Sequence, residues 1–156
     1  IVTWPELDYL IADLPPSTSH EMFSFFGEVK DLFGTIVVSQ PTKIANTGLV
    51  RTIDFLKVKQ IPIIGLVANL DGFLSKGGEI EYQFLSPRVN LEKVATDAGI
   101  PFLVSIPQTG DKERVKPYFV TLADKVITAR PVVLKEITLA RRLKRKLVKG
   151  AARLVT

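Results

Sequence analysis

Apolar positions along this chain occur in two patterns: short, almost unbroken runs, and longer stretches where they recur every three or four residues. The runs are residues 7–14, 35–40, 62–69 and 101–107. None shows the alternation of a half-buried strand, so each predicts a strand covered on both faces, as in a parallel sheet. Residues 21–33 place Met22, Phe25, Phe26, Val29, Leu32 and Phe33 on one helical stripe, with Ser19 or His20 near the N-cap and Gly34 as the stop. Residues 45–60 predict a second helix, with Leu49, Ile53, Leu56 and Val58 inward and Arg51, Lys57 and Lys59 outward. Residues 89–98 predict a short helix stopped by Gly99, and 117–129 a further helix ending before Pro131. Residues 70–87 hold Gly72, Gly77 and Gly78 and predict a long irregular segment, and residues 108–113 a polar loop. Strand and helix alternate, which predicts an α/β fold: a parallel sheet with helices on both faces.

The end of the first run carries candidate chemistry. Asp13 closes it, Pro15 and Pro16 stop the chain from continuing as ladder or helix, and Ser17, Thr18 and Ser19 follow. An ionisable side chain at the C-terminal end of a parallel strand lies on the edge where open α/β sheets bind ligands. The small residues after it let backbone amides approach phosphate oxygens. The stretch therefore reads as half of a nucleotide site, with Asp13 suited to Mg²⁺ that keeps its own waters. The alternative is that Asp13 caps the turn through Asx geometry.

Charge sets the C-terminus apart. Residues 134–156 hold eight Lys and Arg against one Glu, a surplus of seven in a chain of net charge +5, leaving −2 on the preceding 133 residues. Two parts follow: a domain at 1–130 and a tail at 131–156. In the tail Ile137, Ala140, Leu143, Leu147, Ala151 and Leu154 form an apolar stripe among Arg141, Arg142, Lys144, Arg145, Lys146, Lys149 and Arg153. This basic amphipathic helix either docks on its own domain or sits on a membrane surface or an acidic partner. Nucleic acid is disfavoured, because no aromatics interleave the basic residues for stacking. The chain has no cysteine, so it supplies no disulfide, zinc-thiolate or iron–sulfur ligand. That fits a cytoplasmic protein, peripheral to membrane if the tail binds one. Ile1-Val2-Thr3-Trp4 carries no initiator methionine and reads as the start of a fragment or processed product.

Four blocks, in order, resemble the Mrp branch of the ParA/MinD superfamily of P-loop ATPases. They are Trp4 with residues 7–18, then 34–41, 61–69 and 99–107, a similarity spanning roughly residues 1–127. The resemblance implies the C-terminal part of a P-loop ATPase fold, ATP and Mg²⁺ as cofactors, and a homodimer in the full-length protein. Asp13 stands at the Walker B aspartate, which holds a magnesium-bound water. Asn69 stands at the asparagine that reads the adenine edge, where an amide offers both donor and acceptor. Its alternative is to satisfy the turn that ends the strand. Pro107 matches the proline whose following backbone lines the base pocket, with Gln108 and Thr109 bordering it. The Ser17 amide would face the terminal phosphate. The implied function is a nucleotide-dependent ATPase of iron–sulfur cluster assembly or carriage. The alternatives are a non-catalytic interaction domain, or a ParA/MinD-like positioning ATPase with a membrane-associating tail.

The chain departs from this pattern in three places. It has no Gly-x-x-x-x-Gly-Lys-Ser/Thr loop, and Lys76-Gly77-Gly78 lacks the strand-to-helix context of one. Ser17 and Ser19 stand where the family has glycines, and His20, the single histidine, stands where it has aspartate. The Cys-x-x-Cys pair that many members place after the asparagine strand is missing from residues 71–78. Phosphate affinity and charge stabilisation come mainly from the P-loop amides and lysine. Residues 1–156 alone are therefore expected to give no Mg²⁺-dependent phosphate release from ATP; release above the buffer rate in a phosphate assay would contradict this.

Overall fold

β2, Ile63–Leu74, is the strand the other three pair with. The computed structural model describes residues 3–15, 20–29, 31–82 and 87–134, and the chain divides into two units, Ile1–Asp31 and Leu32–Thr156. In the first unit, residues 3–15 form neither helix nor strand, and Ile11 is 87% exposed. The expected strand over 7–14 is therefore not observed. An apolar run becomes a buried strand only when ladders hold both its edges and helices cover both faces, and no described strand pairs with it. The helix expected over 21–33 is α1, His20–Glu28, which buries Met22 and sets Phe25 edge-on to Phe26.

The second unit follows the predicted alternation. β1 is Thr35–Ser39, α2 is Lys43–Val58, α3 is Leu91–Ala98, β4 is Phe102–Gln108 and α4 is Lys112–Ile127. β1 and β4 flank β2, both parallel to it. Crossovers of this kind are right-handed, so β1–α2–β2 and β2–α3–β4 lay α2 and α3 on one face. There Ile53 and Asp54 of α2 and Val94 and Asp97 of α3 line one cavity of about 380 Å³. α4 packs Val115, Tyr118, Leu122 and Val126 on Ile64, Val67, Leu103, Val104 and Ile106. Leu49, Ile53 and Leu56 of α2 are buried as the pattern predicts, but Val58, at the last turn, is 59% exposed. Asn90 caps α3 through its side chain on the Lys93 amide, and Gly99 closes it at φ 73°, a left-handed cap.

Two elements exceed the sequence reading. α4 begins five residues before Pro117, because Asp111 accepts from the Glu113 amide and starts the helix inside the expected polar loop. β2 runs on past Asn69 into the stretch expected to be irregular and turns back as β3, Ile80–Glu81, antiparallel to it. The sheet is therefore mixed. Lys76-Gly77-Gly78 is the hairpin turn, closed by the Ser75 amide on Glu79 O at 2.8 Å and the Glu79 amide on Ser75 Oγ at 3.2 Å. The tail helix expected over 134–156 lies, beyond Leu134, outside the described residues.

Gly65 lets β2 approach the turn into β4. A Cβ there would stand 2.7 Å from the Pro101 carbonyl oxygen, a backbone atom that cannot swing aside, and 2.7 Å from Leu103 Cγ. Gly65→Ala is expected to destabilise the chain by about 2 kcal/mol through overpacking. Gly77→Ala, whose Cβ would meet nothing nearer than 3.8 Å, should change stability by less than about 0.5 kcal/mol. Urea denaturation of the two variants checks the difference.

Candidate functional site

Parallel strands collect their C-terminal ends on one edge, and here those ends are Ser39 of β1, Asn69 of β2 and Ile106 to Gln108 of β4. Ser39 pairs with Ala68, and Asn69 with Ile106 across the ladder. Asn69, Pro107 and Gln108 thus share the edge where open α/β sheets bind ligands. Asn69 is half-buried, Pro107 buried and Gln108 exposed, with Thr109 half-buried beside it. No hydrogen bond from another described residue occupies the Asn69 amide group. A primary amide of this kind carries two donors and one acceptor oxygen.

The ladder changes immediately beyond Asn69. The next pair is Phe73 with Gln108, so β2 takes four steps where β4 takes two. The excess bulges out as residues 70–72, with Leu70 at φ 56° and Gly72 at φ 81°. Glycine suits this turn, and a Cβ at Gly72 would also meet Ile80 Cγ2 at 2.6 Å. Leu70 has no such licence and holds a left-handed conformation that costs an ordinary residue about 1–2 kcal/mol.

Between them lies Asp71, 2% exposed. Arg88 grips its carboxylate with both arms of the guanidinium, Nε to Oδ1 and Nη2 to Oδ2, each at 2.6 Å. Ser105 Oγ of β4 donates to Oδ2 at 2.5 Å. The Arg88 guanidinium also lies 4.6 Å from the centre of the Tyr82 ring, just beyond β3. Burial alone would raise the Asp71 pKa. The hydrogen bonds from Arg88 and Ser105 and the Arg88 charge outweigh it, holding the carboxyl below its ordinary 3.8. Arg88 is held above its ordinary value, chiefly by its hydrogen bonds to Asp71. One residue on, the Val89 amide donates to Pro41 O at 3.0 Å, so the chain running into α3 also ties down the loop after β1. Arg114 of α4 fixes the hairpin turn by donating to Ser75 O at 2.6 Å.

The sequence reading named Asn69, Pro107, Gln108 and Thr109, which lie together. It also named Asp13, which is exposed and in the first unit, and Ser17, outside the described residues. It missed Asp71, Arg88 and Ser105. Ser105 interrupts the apolar run 101–107 with a polar side chain, which is a signal; Asp71, just past the run 62–69, and Arg88, seventeen residues after it, carry none. Three hydrogen bonds reach the Asp71 carboxylate, one on Oδ1 and two on Oδ2. Among the described residues no group of three or more His, Asp or Glu side chains is placed to hold a metal ion.

Residues 1–145 match the model of a ParA family described as NUBPL iron-transfer P-loop NTPase. Over 106 residues the chain is 34% identical to the iron–sulfur cluster carrier protein of Methanocaldococcus jannaschii, covering 68% of this chain and 36% of that protein. The chain therefore spans about a third of the length of the curated relative it matches.

The depressed pKa of Asp71 fixes the sign of a pH effect. A carboxyl whose folded pKa lies below its unfolded value contributes stability that is complete above the unfolded pKa and is lost as pH falls through the folded one. Asp71→Asn is expected to cost about 2 kcal/mol at pH 7, since it removes charge from bonds to a guanidinium. Urea midpoints of the two proteins should differ by a constant amount above about pH 5 and converge below the ordinary carboxylate value. A gap unchanged down to pH 2 would show that folding leaves the Asp71 pKa unshifted.

Proposed function

Because the chain belongs to the ParA family of NUBPL iron-transfer P-loop NTPases, we propose that its strand-end edge is the base-binding side of an ATP site in an iron–sulfur-related ATPase. The observation that carries this is the open Asn69 amide between β1 and β4, beside Pro107 and Gln108. An amide is complementary to adenine, whose amino group donates and whose ring nitrogens accept. The backbone after Pro107 then forms the wall the base lies against. Taken by itself in the first unit, Asp13 is an exposed carboxylate, which suits the role the resemblance implies, holding Mg²⁺ through a water. The phosphate-gripping loop is not among these residues, so the chain's own share is to recognise and orient the base.

The cargo side of the function falls to other groups. Iron–sulfur clusters are held by thiolates, and this chain has none. The hairpin after Asn69, where the resemblance would place a cysteine pair, instead closes on Ser75 with Arg114 against it. In the full-length protein we assign this chain to the nucleotide switch, with a second copy as the partner across the nucleotide.

Titration of the ¹⁵N-labelled chain with adenosine monophosphate tests the base site without requiring hydrolysis. The Asn69 side-chain amide and the Gln108 and Thr109 backbone amides are expected to shift, with guanosine monophosphate shifting them less. Asn69→Ala should weaken binding about tenfold, the value of one well-made pair of hydrogen bonds. Equal shifts with both nucleotides, or none at these residues, would overturn the assignment.

A further inference from the structure

We propose that Asp71, Arg88 and Ser105 are positioning residues for the base-binding edge: their hydrogen bonds set where Asn69 and the Pro107–Gln108 backbone stand. This rests on the base-site reading for its purpose, though not for its geometry.

The ladder between β2 and β4 is broken between Asn69 and Phe73, on the stretch that would face a base. Regular pairing ends at Asn69 and Ile106, so it does not hold the residues that follow them, Leu70 to Gly72 on one strand and Pro107 on the other. What spans the gap is the Ser105 hydroxyl on Asp71. Ser105 immediately precedes Ile106, the ladder partner of Asn69, and lies two residues before Pro107; Asp71 lies two residues after Asn69. One carboxylate thus ties together both flanks of the proposed pocket. Arg88 completes it from a third direction. Its neighbour Val89 is bonded to Pro41, so the pair couples the end of β1 to the same point.

The left-handed backbone at Leu70 agrees with such a role. A non-glycine residue is held there only when its surroundings over-determine it, and such strain clusters at binding sites. Asp71 is the adjacent residue and has three hydrogen bonds to hold it in place. The fork of Arg88 matters as much as its charge, because lysine would offer a point charge in place of two fixed donors.

The test uses the whole 156-residue chain and two readouts: NMR resonances without ligand, and affinity for adenosine monophosphate. Arg88→Lys and Ser105→Ala are expected to move the Asn69 side-chain amide and the Gln108 backbone amide, with the fold retained by circular dichroism. Ser105→Thr, which keeps the hydroxyl, should restore both resonances toward wild type. Ile53→Val, a buried change in α2, serves as a purely destabilising control and should leave them in place. Affinity should fall about threefold to tenfold in Arg88→Lys, with little further loss when Asn69→Ala is added. If Arg88→Lys and Ser105→Ala disturb Asn69 and Gln108 no more than Ile53→Val does, the positioning role is wrong. If the resonances move as expected but the wild-type chain binds no nucleotide, the positioning stands and the base-site reading fails.

Discussion

A buried carboxylate must be fully bonded or it is expelled, and Asp71 brings that constraint to the centre of this fold. Burying one polar atom without a partner costs about 1–3 kcal/mol, and more for a charge. With Asp71 2% exposed, Arg88 and Ser105 have to be where they are. The approach to α3 must then pass over the end of β2, and β4 must present Ser105 toward it. Arg88 remains 45% exposed, so its positive end is solvated while its fork works inward. That lowers the desolvation cost which makes fully buried ion pairs poor stabilisers. The pair is placed where bonding is strong and dehydration is only half complete.

The same residue divides β2 into two strands with different duties. Up to Asn69 it is sandwiched: Ile63, Leu66, Val67 and Ala68 are almost completely buried, with ladders to β1 and β4 on either side. Beyond the bulge it becomes one arm of a hairpin, and Phe73 pairs with both Glu81 and Gln108. β1 ends at Ser39, opposite Ala68, and β3 takes its side of β2 farther on. The edge between is the notch in which Asn69 lies. Bulges repeat the device elsewhere. β4 carries Leu103 as an extra residue between its pairings with Leu66 and Val67, and Lys125 of α4 donates to the Leu103 carbonyl.

What the sequence made legible follows the physics of each signal. β1, the first part of β2 and β4 were readable because burial on both faces demands continuous apolar runs, and α3 because Asn90 and Gly99 are strong local caps. Asn69, Pro107 and Gln108 were named from motif blocks, and the parallel register brings them to one edge. The run at 7–14 carried the same apolar signal without a described ladder partner, and composition cannot report whether a neighbour is there. The second half of β2 was missed because its burial pattern, with Asp71 and Leu74 in and Leu70 and Phe73 out, has a period of three across the bulge. No strand template has that period. Arg88 was invisible because a bidentate pair seventeen residues apart leaves no local trace.

Energetics order these features into cause and consequence. Leu70 in the left-handed region costs about 1–2 kcal/mol, and a regular strand through residues 69–73 would avoid that cost altogether. It would also carry Asp71 out of register with Ser105 and Arg88, forfeiting bonds to a charged group worth about 1.5–3 kcal/mol each. The bulge is thus stable because the carboxylate is satisfied only in the bulged register. Replacing the trio with apolar residues of similar volume could match the stability, since buried ion pairs are often no better than hydrophobic packing. It could not match the directionality. Three hydrogen bonds to two oxygens fix one register among several, whereas apolar contacts tolerate sliding. The feature retained at this edge is therefore geometric definition, which a site reading the edge of a ligand requires and a simple core does not.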